Sequence, residues 1–202
     1  RSFPAVTGMT GYVVSPKQGD NQKLIVYIGG DGNFAFFGNI ISENGENLSK
    51  SYQEKYITNM QAVEAYPDLA ATHYITQGSN SAPHKAYILM DPNCSYCHKL
   101  YFDLKPLVKA NKVQIRWVPV GIMRQDSLAK VAKLLSAKSS AQALTWLDQG
   151  EINFNNATEE GGVTPLSPAS TNPMVTNAFR KSSENNAFFS KHGFYATPMI
   201  LY

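Results

Sequence analysis

The two cysteines of this chain, Cys94 and Cys97, lie three positions apart at a predicted junction between a strand and a helix. The apolar run at 86–90 favours a buried strand, and the apolar spacing at 99–110 favours a helix. A second strand is predicted at 113–120, so the segment reads as a right-handed unit with two parallel strands. Two thiols kept together at such a junction indicate thiol–disulfide exchange.

The start of a helix is a favourable place for a reactive thiolate. Unpaired backbone N–H groups and the positive end of the helix dipole favour an anion there, so we expect the pKa of Cys94 to fall below its free value of ~8.5. Cys94 is expected to be an exposed nucleophile, and Cys97, one turn later, the more covered, resolving thiol. Ser95 and Tyr96 lie between the cysteines and are expected to tune the redox poise. His98 could assist Cys94 with its charge or could be a surface histidine.

Three other uses of the cysteines are less well supported. A zinc site needs about four ligands, and His73, His84 and His192 show no paired ligand spacing. A purely structural disulfide would close a very small loop and stabilise little. A single nucleophilic cysteine with a histidine base would leave the second cysteine unexplained. Redox exchange is therefore favoured, with no metal and no cofactor predicted.

Composition limits the class of protein. The chain is 43% hydrophobic and 16% charged, which suits a packed core rather than disorder. Its net charge is only +3 and its basic residues are scattered, so nucleic acid is not an expected partner. No apolar stretch approaches the ~18 residues of a membrane span.

The chain is predicted to have two domains of mixed α and β structure. Residues 1–46 contain short β-type runs at 11–14, 23–28 and 34–41, with a hairpin turn at 29–33. Residues 47–83 are predicted to be a helical connector, and the alternative is a helix that packs in the core of one domain. In this region the apolar residues recur at helical spacing; they are Leu48, Tyr52, Tyr56, Met60 and Val63.

The second domain is predicted to span 84–202. After the strand–helix–strand unit, two helices are predicted within 126–149, an irregular loop at 153–173 and a helix through 179–191. A last strand at 196–202 would be entered through Thr197-Pro198, since proline is tolerated at the start of a strand.

Several of these features together resemble one known family. Cys94 to His98 after Asp91-Pro92, the helix proline Pro106, and Thr197-Pro198 before a late strand resemble the thioredoxin-fold domain of the periplasmic disulfide isomerases of the DsbC/DsbG family. The amino-terminal half is similar as well, and looks more like the DsbG branch. The segments that carry this likeness are 8–12, the hairpin at 31–32, and 43–49.

The resemblance implies an architecture and a set of partners. Residues 1–46 would form the dimerisation domain of a V-shaped homodimer, and the connector would hold each thioredoxin-like domain over a cleft. Residues 121–191 would contain a helical insertion. Thr197-Pro198 would form a cis-proline loop that faces the two cysteines and binds extended substrate segments. Substrates would be unfolded or misoxidised proteins, and a membrane electron donor of the DsbD type would keep the cysteines reduced. The protein would be exported to the periplasm with its signal peptide removed.

Two departures from the family pattern bear on these expectations. Ser95 stands where DsbG-like proteins usually carry proline and DsbC-like proteins glycine, which leaves the redox potential open. The chain stops at Tyr202, whereas a thioredoxin domain continues with another strand and a helix, so we expect these elements to be missing here. The expected function is disulfide isomerisation or reduction. The alternatives are a dimeric disulfide oxidase and a client-binding chaperone without redox turnover.

Overall fold

The computed structural model describes residues 1–6, 8–15 and 23–202, and it divides into two compact units. The first unit comprises Arg1–Pro67 with Ser190–Tyr195, and the second comprises Asp68–Phe189 with Ala196–Tyr202. The division after Pro67 differs from the boundaries at 46 and 83 that the sequence suggested.

The first unit contains a four-stranded antiparallel sheet in the order β1-β2-β3-β4. The predicted hairpin at 29–33 is confirmed: Gly29 N–H donates to the Phe34 carbonyl at 3.0 Å, and Gly32 has a φ of 73°. The strand predicted to run to residue 41 ends at Phe36, because Ile40 N–H donates to the Ser49 hydroxyl instead of to a strand. The strands are β1 (Ser2–Pro4), β2 (Met9–Val14), β3 (Leu24–Gly29) and β4 (Ala35–Phe36).

Helical structure follows the sheet from Leu48 to Ala71. Helix α1 (Leu48–Gln53) is capped by Asn47, whose side-chain oxygen accepts from Lys50 N–H at 3.1 Å. A π-helical turn (Glu54–Thr58) leads into α2 (Asn59–Ala65), and a 3₁₀ segment (Tyr66–Ala71) follows.

The π-helical turn changes the face that the helix buries. Before it, Tyr52 lies against Phe3 with ring centroids 5.3 Å apart, and within it Tyr56 stacks on Phe3 at 3.9 Å, as the predicted apolar face requires. After it, Val63 is exposed, while Gln61 and Ala65 are buried. A π-helical turn adds a residue to the helical repeat, so the helical spacing predicts the wrong face beyond it.

The expectation of a helical connector over 47–83 is wrong for its last part. β5 (Ile75–Gln77) is a strand, and it pairs antiparallel with β7 (Val113–Pro119). β5 has only three residues, which are too few for an alternating apolar and polar pattern to indicate a strand in the sequence.

The second unit is built on a four-stranded sheet in the order β5-β7-β6-β8. β6 (His84–Met90) and β7 are parallel and are joined by α3 (Ser95–Lys109), so the predicted strand–helix–strand unit is confirmed. β8 (Met199–Leu201) pairs antiparallel with β6. Ile88, Met90 and Trp117 are buried in the core between this sheet and the helices.

Three helices lie between β7 and β8, in the segment predicted to hold a helical insertion. They are α4 (Ser127–Leu135), α5 (Ser140–Ile152) and α6 (Pro173–Lys191). α6 begins at Pro173 rather than at 179, since proline is well suited to the first position of a helix. In the parts of the chain that the structure describes, no helix is long and apolar enough to cross a membrane.

Candidate active site

Cys94 is the N-cap residue of α3, four residues after the end of β6. Its backbone is extended, with φ −88° and ψ 114°, so its side chain turns back over the first turn of the helix. The Cys94 Sγ accepts a hydrogen bond from Cys97 N–H at 3.2 Å. A sulfur atom thus occupies the place where a capping oxygen usually satisfies a free helical N–H group.

The loop before β8 lies against the same sulfur. The Cys94 Sγ is 3.4 Å from the Thr197 carbonyl oxygen, and the Thr197-Pro198 peptide bond is cis. The cis-proline that the family resemblance implied is therefore confirmed. The antiparallel pairing of β8 with β6 brings these residues together although about 100 positions separate them along the chain.

The two thiols have opposite electrostatic environments. A hydrogen bond from the Cys97 thiol, with further ones from Thr197 and from the Cys97 and Tyr96 N–H groups, outweighs burial and lowers the pKa of Cys94 to about 6. Burial, together with the charge and the hydrogen bond of Cys94, raises the pKa of Cys97 far above its usual value. Near neutral pH this arrangement holds a thiolate at position 94 and a thiol at position 97.

The expectation of an exposed sulfur at position 94 is wrong. Cys94 is only 2% exposed and Cys97 is fully buried, and both are free thiols. The cause is the capping geometry, which turns the Cys94 side chain towards Cys97 and Thr197. Tyr96, between the cysteines, is 75% exposed and forms the outermost part of the motif.

The other two residues of the motif contact helix α5 and the loop after it. Ser95 donates a hydrogen bond to Glu159 at 3.4 Å. His98 is partly buried, with its Nδ1 2.8 Å from the Glu151 carboxylate and its ring stacked on Phe154. His98 is therefore not a free surface histidine.

A buried polar network holds the turn that precedes Cys94. Asp91 accepts from the N–H groups of Asn93, Ile122 and Met123 at 2.7–2.9 Å. Asn93 donates to Ser127 and Asp126 and accepts from Lys130 at 2.8 Å and from Gly161 N–H at 2.9 Å. All hydrogen-bonding positions of the Asn93 side chain are therefore used, which fixes the turn relative to α4.

Gly161 packs directly on this turn. A Cβ atom at position 161 would lie 1.8 Å from the Pro92 carbonyl oxygen, a distance that no side chain can occupy. Only glycine permits the loop after α5 to approach the cysteine motif so closely.

Comparison with known proteins gives a coherent family assignment. The chain is 30% identical over its whole length to the thiol:disulfide interchange protein DsbG of Pseudomonas aeruginosa, covering 73% of that protein. It is also 30% identical to DsbG of Escherichia coli, covering 75% of that protein. The chain belongs to the DsbG family. This DsbG-family chain is accordingly a thiol:disulfide interchange protein, and thiol–disulfide exchange is its activity.

Solved structures agree on the fold of the DsbG-family chain. A linker-deletion variant of ScsC from Proteus mirabilis superposes with a TM-score of 0.56 at 16% identity, over 75% of this chain and 76% of the other. A periplasmic thioredoxin-like protein from Salmonella enterica serovar Typhimurium superposes with a TM-score of 0.50 at 16% identity, over 64% of this chain and 77% of the other. These structures support a thioredoxin-like fold. No protein-family model matches the chain.

Several site residues of this DsbG-family chain did not emerge from the sequence pattern. The position of Lys130 could have been inferred from the helical repeat. It lies three residues after Ser127 and four before Leu134, which puts this lysine on the buried face of α4. No local sequence pattern indicated the roles of Glu151 and Gly161, because their contacts are with residues distant in the chain. Among residues 1–6, 8–15 and 23–202, the His, Cys, Asp and Glu side chains form no group of three or more that could hold a metal ion.

Proposed function

We propose that Cys94 is the attacking thiolate, and Cys97 the resolving thiol, of a periplasmic disulfide isomerase or reductase that acts on unfolded or misoxidised proteins. The observation that carries this proposal is the capping contact, in which the Cys94 sulfur accepts from Cys97 N–H at 3.2 Å. It supplies both an anion-stabilising helix start and a second thiol within hydrogen-bonding reach.

The exchange proceeds in two steps. The Cys94 thiolate attacks one sulfur of a client disulfide, a mixed disulfide forms, and the other client sulfur leaves as a thiolate. In isomerisation a different client thiolate then attacks the client sulfur of the mixed disulfide, and Cys94 leaves as a thiolate. In reduction Cys97 loses its proton and attacks the Cys94 sulfur, which releases the second client thiolate and transfers two electrons to the client.

The surroundings of Cys94 suit a protein client. Thr197 and Pro198 are half-buried beside the sulfur and would offer backbone groups to an extended client segment. Because Cys94 is almost fully covered, we expect the client sulfur to approach between Tyr96 and Thr197. Ser95 and His98 would tune the thiolate through their carboxylate partners Glu159 and Glu151.

The remaining expectations follow from family membership. Residues 1–46 would form the dimerisation domain of a homodimer, the helices that follow would connect it to the catalytic domain, and the catalytic domain would extend to residue 202. A membrane electron donor of the DsbD type would return two electrons to the Cys94–Cys97 disulfide after each reduction. The antiparallel sheet of the first unit supports its role as a separate domain.

Refolding of a scrambled disulfide protein tests the assignment of the cysteines. Cys94→Ala should abolish reshuffling, whereas Cys97→Ala should retain isomerisation and accumulate a mixed disulfide with the client. Ser167→Ala, at an exposed loop position, is the matched control and should behave as the unchanged protein. Full activity of Cys94→Ala would refute the proposal.

One observation favours a second candidate, a disulfide oxidase. A pKa of about 6 at Cys94 stabilises the reduced form, and a stabilised reduced form makes the disulfide a stronger oxidant. Equilibration with glutathione separates the two candidates. A potential well above that of glutathione would favour oxidation, and one near or below it would favour isomerisation and reduction.

A further inference from the structure

A buried carboxylate–imidazole pair lies one helical turn behind Cys94. Glu151, on α5, is 3% exposed, and its Oε2 is 2.8 Å from Nδ1 of His98. His98 is fixed from two sides, because its ring stacks on Phe154 at 4.4 Å and meets the edge of Phe102 at 5.1 Å. The backbone N–H of His98 also donates to the backbone carbonyl of Cys94 at 2.9 Å, which connects the pair to the cysteine turn.

The exchange steps do not use this carboxyl group, although burying one is costly. The charged and titratable groups that act on Glu151 lie on α3 and in the cysteine turn. On α3 they are His98, Tyr101 and Lys105, and in the cysteine turn the group is Cys94. Asp148, on the same helix as Glu151, accepts from Tyr101 at 3.2 Å and pairs with Lys105.

The proton on this pair depends on the state of Cys94. Burial raises the pKa of Glu151 to about 7; His98 and Lys105 oppose this rise, and the negative charge of Cys94 adds to it. The repulsion between the Cys94 thiolate and the Glu151 carboxylate is reciprocal, so each charge disfavours the other by the same free energy. When the Cys94 sulfur enters a disulfide its charge disappears, and the proton affinity of Glu151 falls.

We propose that the Glu151–His98 pair is a proton-coupled positioning element of the active site, which takes up a proton when the cysteines are reduced and releases it when they form a disulfide. The inference rests on the proposed role of Cys94. On reduction of the disulfide by two electrons, Cys97 takes one proton, Cys94 remains a thiolate, and Glu151 takes a proton in a fraction of molecules set by the pH. On oxidation both protons return to solvent.

The consequence is a redox poise that changes with pH close to neutrality. Above the pKa of Glu151 the carboxylate repels the Cys94 thiolate and disfavours the reduced form. Below that pKa the carboxyl is neutral and the repulsion disappears. Glu151 therefore acts through charge on Cys94 and is a positioning residue, not a catalytic one.

The test compares Glu151→Gln with the unchanged protein in the redox equilibrium with glutathione from pH 5.5 to 8.5. The unchanged protein should show a change of slope near pH 7 in a plot of potential against pH, and Glu151→Gln should lose it. Glutamine never carries the negative charge, so above pH 7 the potential of Glu151→Gln should lie above that of the unchanged protein. The thiolate absorbance of Cys94 at 240 nm rises near pH 6, where Glu151 is mostly neutral, so its midpoint should stay the same in this variant.

A second variant keeps the test decisive if Glu151→Gln does not fold. His98→Phe retains an aromatic ring to stack on Phe154 and removes the nitrogen that bonds Glu151. The buried carboxyl then loses its partner, so the change of slope should move to a higher pH. Glu184→Gln is the matched control, because it removes the carboxylate of another imidazole pair, formed with His73 on the surface.

Curves for Glu151→Gln and His98→Phe that coincide with that of the unchanged protein would overturn the inference, as would an equal effect of Glu184→Gln. The equilibrium with glutathione needs no client protein, so it is independent of the proposed activity on proteins. If Cys94→Ala retained exchange, the proposed function would fail whatever the potentials showed. If Cys94→Ala were inactive and the potential of Glu151→Gln followed the curve of the unchanged protein, only the proton coupling would fail.

Discussion

The backbone N–H of Cys97 donates to the sulfur of Cys94 across 3.2 Å, so the second cysteine helps to stabilise the anion on the first. The Cys97 thiol acts in the same direction, and burial together with this hydrogen bond raises its own pKa. The contacts between two residues a helical turn apart, together with the burial of Cys97, thus produce the difference between the two thiols.

This asymmetry predicts two well-separated titrations. In the reduced protein the thiolate absorbance at 240 nm should rise with a midpoint near pH 6, since the pKa of Cys94 is lowered to about 6. Cys94→Ser should remove that rise, and no thiolate should then form below about pH 9, because burial raises the pKa of Cys97. A midpoint near pH 8.5 in the unchanged protein would contradict the capping geometry.

Thr197 is expected to contribute to the low pKa of Cys94. The Thr197 hydroxyl lies on the loop beside the Cys94 sulfur and donates to Met123 Sδ at 3.9 Å, and its side chain favours the charged form of Cys94. Hydrogen bonds to charged groups are worth about 1.5–3 kcal/mol. Thr197→Val keeps the shape and removes the hydroxyl, so the pKa of Cys94 should rise by about one unit. The same 240 nm titration measures the shift. Thr164→Val, at an exposed loop position, should leave the midpoint where it was, and an equal midpoint in Thr197→Val would exclude the contribution.

Lys130 should be important for stability although it is charged. Its side chain is 3% exposed and binds Asn93 at 2.8 Å and Asp126 at 2.7 Å. Lys130→Met preserves the aliphatic part but removes one donor from the Asn93 oxygen and the positive charge beside Asp126, which should lower the free energy of unfolding by about 2–4 kcal/mol. Urea denaturation measures the loss. Lys99→Met removes an exposed lysine that pairs with Asp103, and should change stability by less than about 0.5 kcal/mol.

Gly161 should tolerate no side chain. Because a Cβ at this position would meet the Pro92 carbonyl at 1.8 Å, Gly161→Ala must move either the loop after α5 or the turn before Cys94. We expect a loss of about 1–3 kcal/mol in unfolding free energy and a slower exchange reaction with a client. Thr164→Ala in the same loop is the control for both measurements. An alanine variant as stable and as active as the control would show that the loop moves away without cost.

Much of the site and of its framework could be predicted because the signals are local. The βαβ unit follows from apolar runs of the right length, and the helix start at Cys94 follows from the order of strand, turn and helix. The register of α2 could not be predicted in this way, since the π-helical turn before it changes which residues face inward. The short strand β5 likewise depends on its partner β7 for its existence.

By itself the sequence determined the strand–helix–strand framework, the pairing of two thiols at a helix start, and the likeness to the DsbC/DsbG family. The tertiary structure alone decided that Cys94 is covered, that its sulfur lies 3.4 Å from the Thr197 carbonyl oxygen, and that Glu151 lies behind it on His98. The physical reason is the range of the interactions. Capping and periodicity act within a helical turn or two, whereas burial and electrostatic coupling depend on residues that only the folded chain brings together.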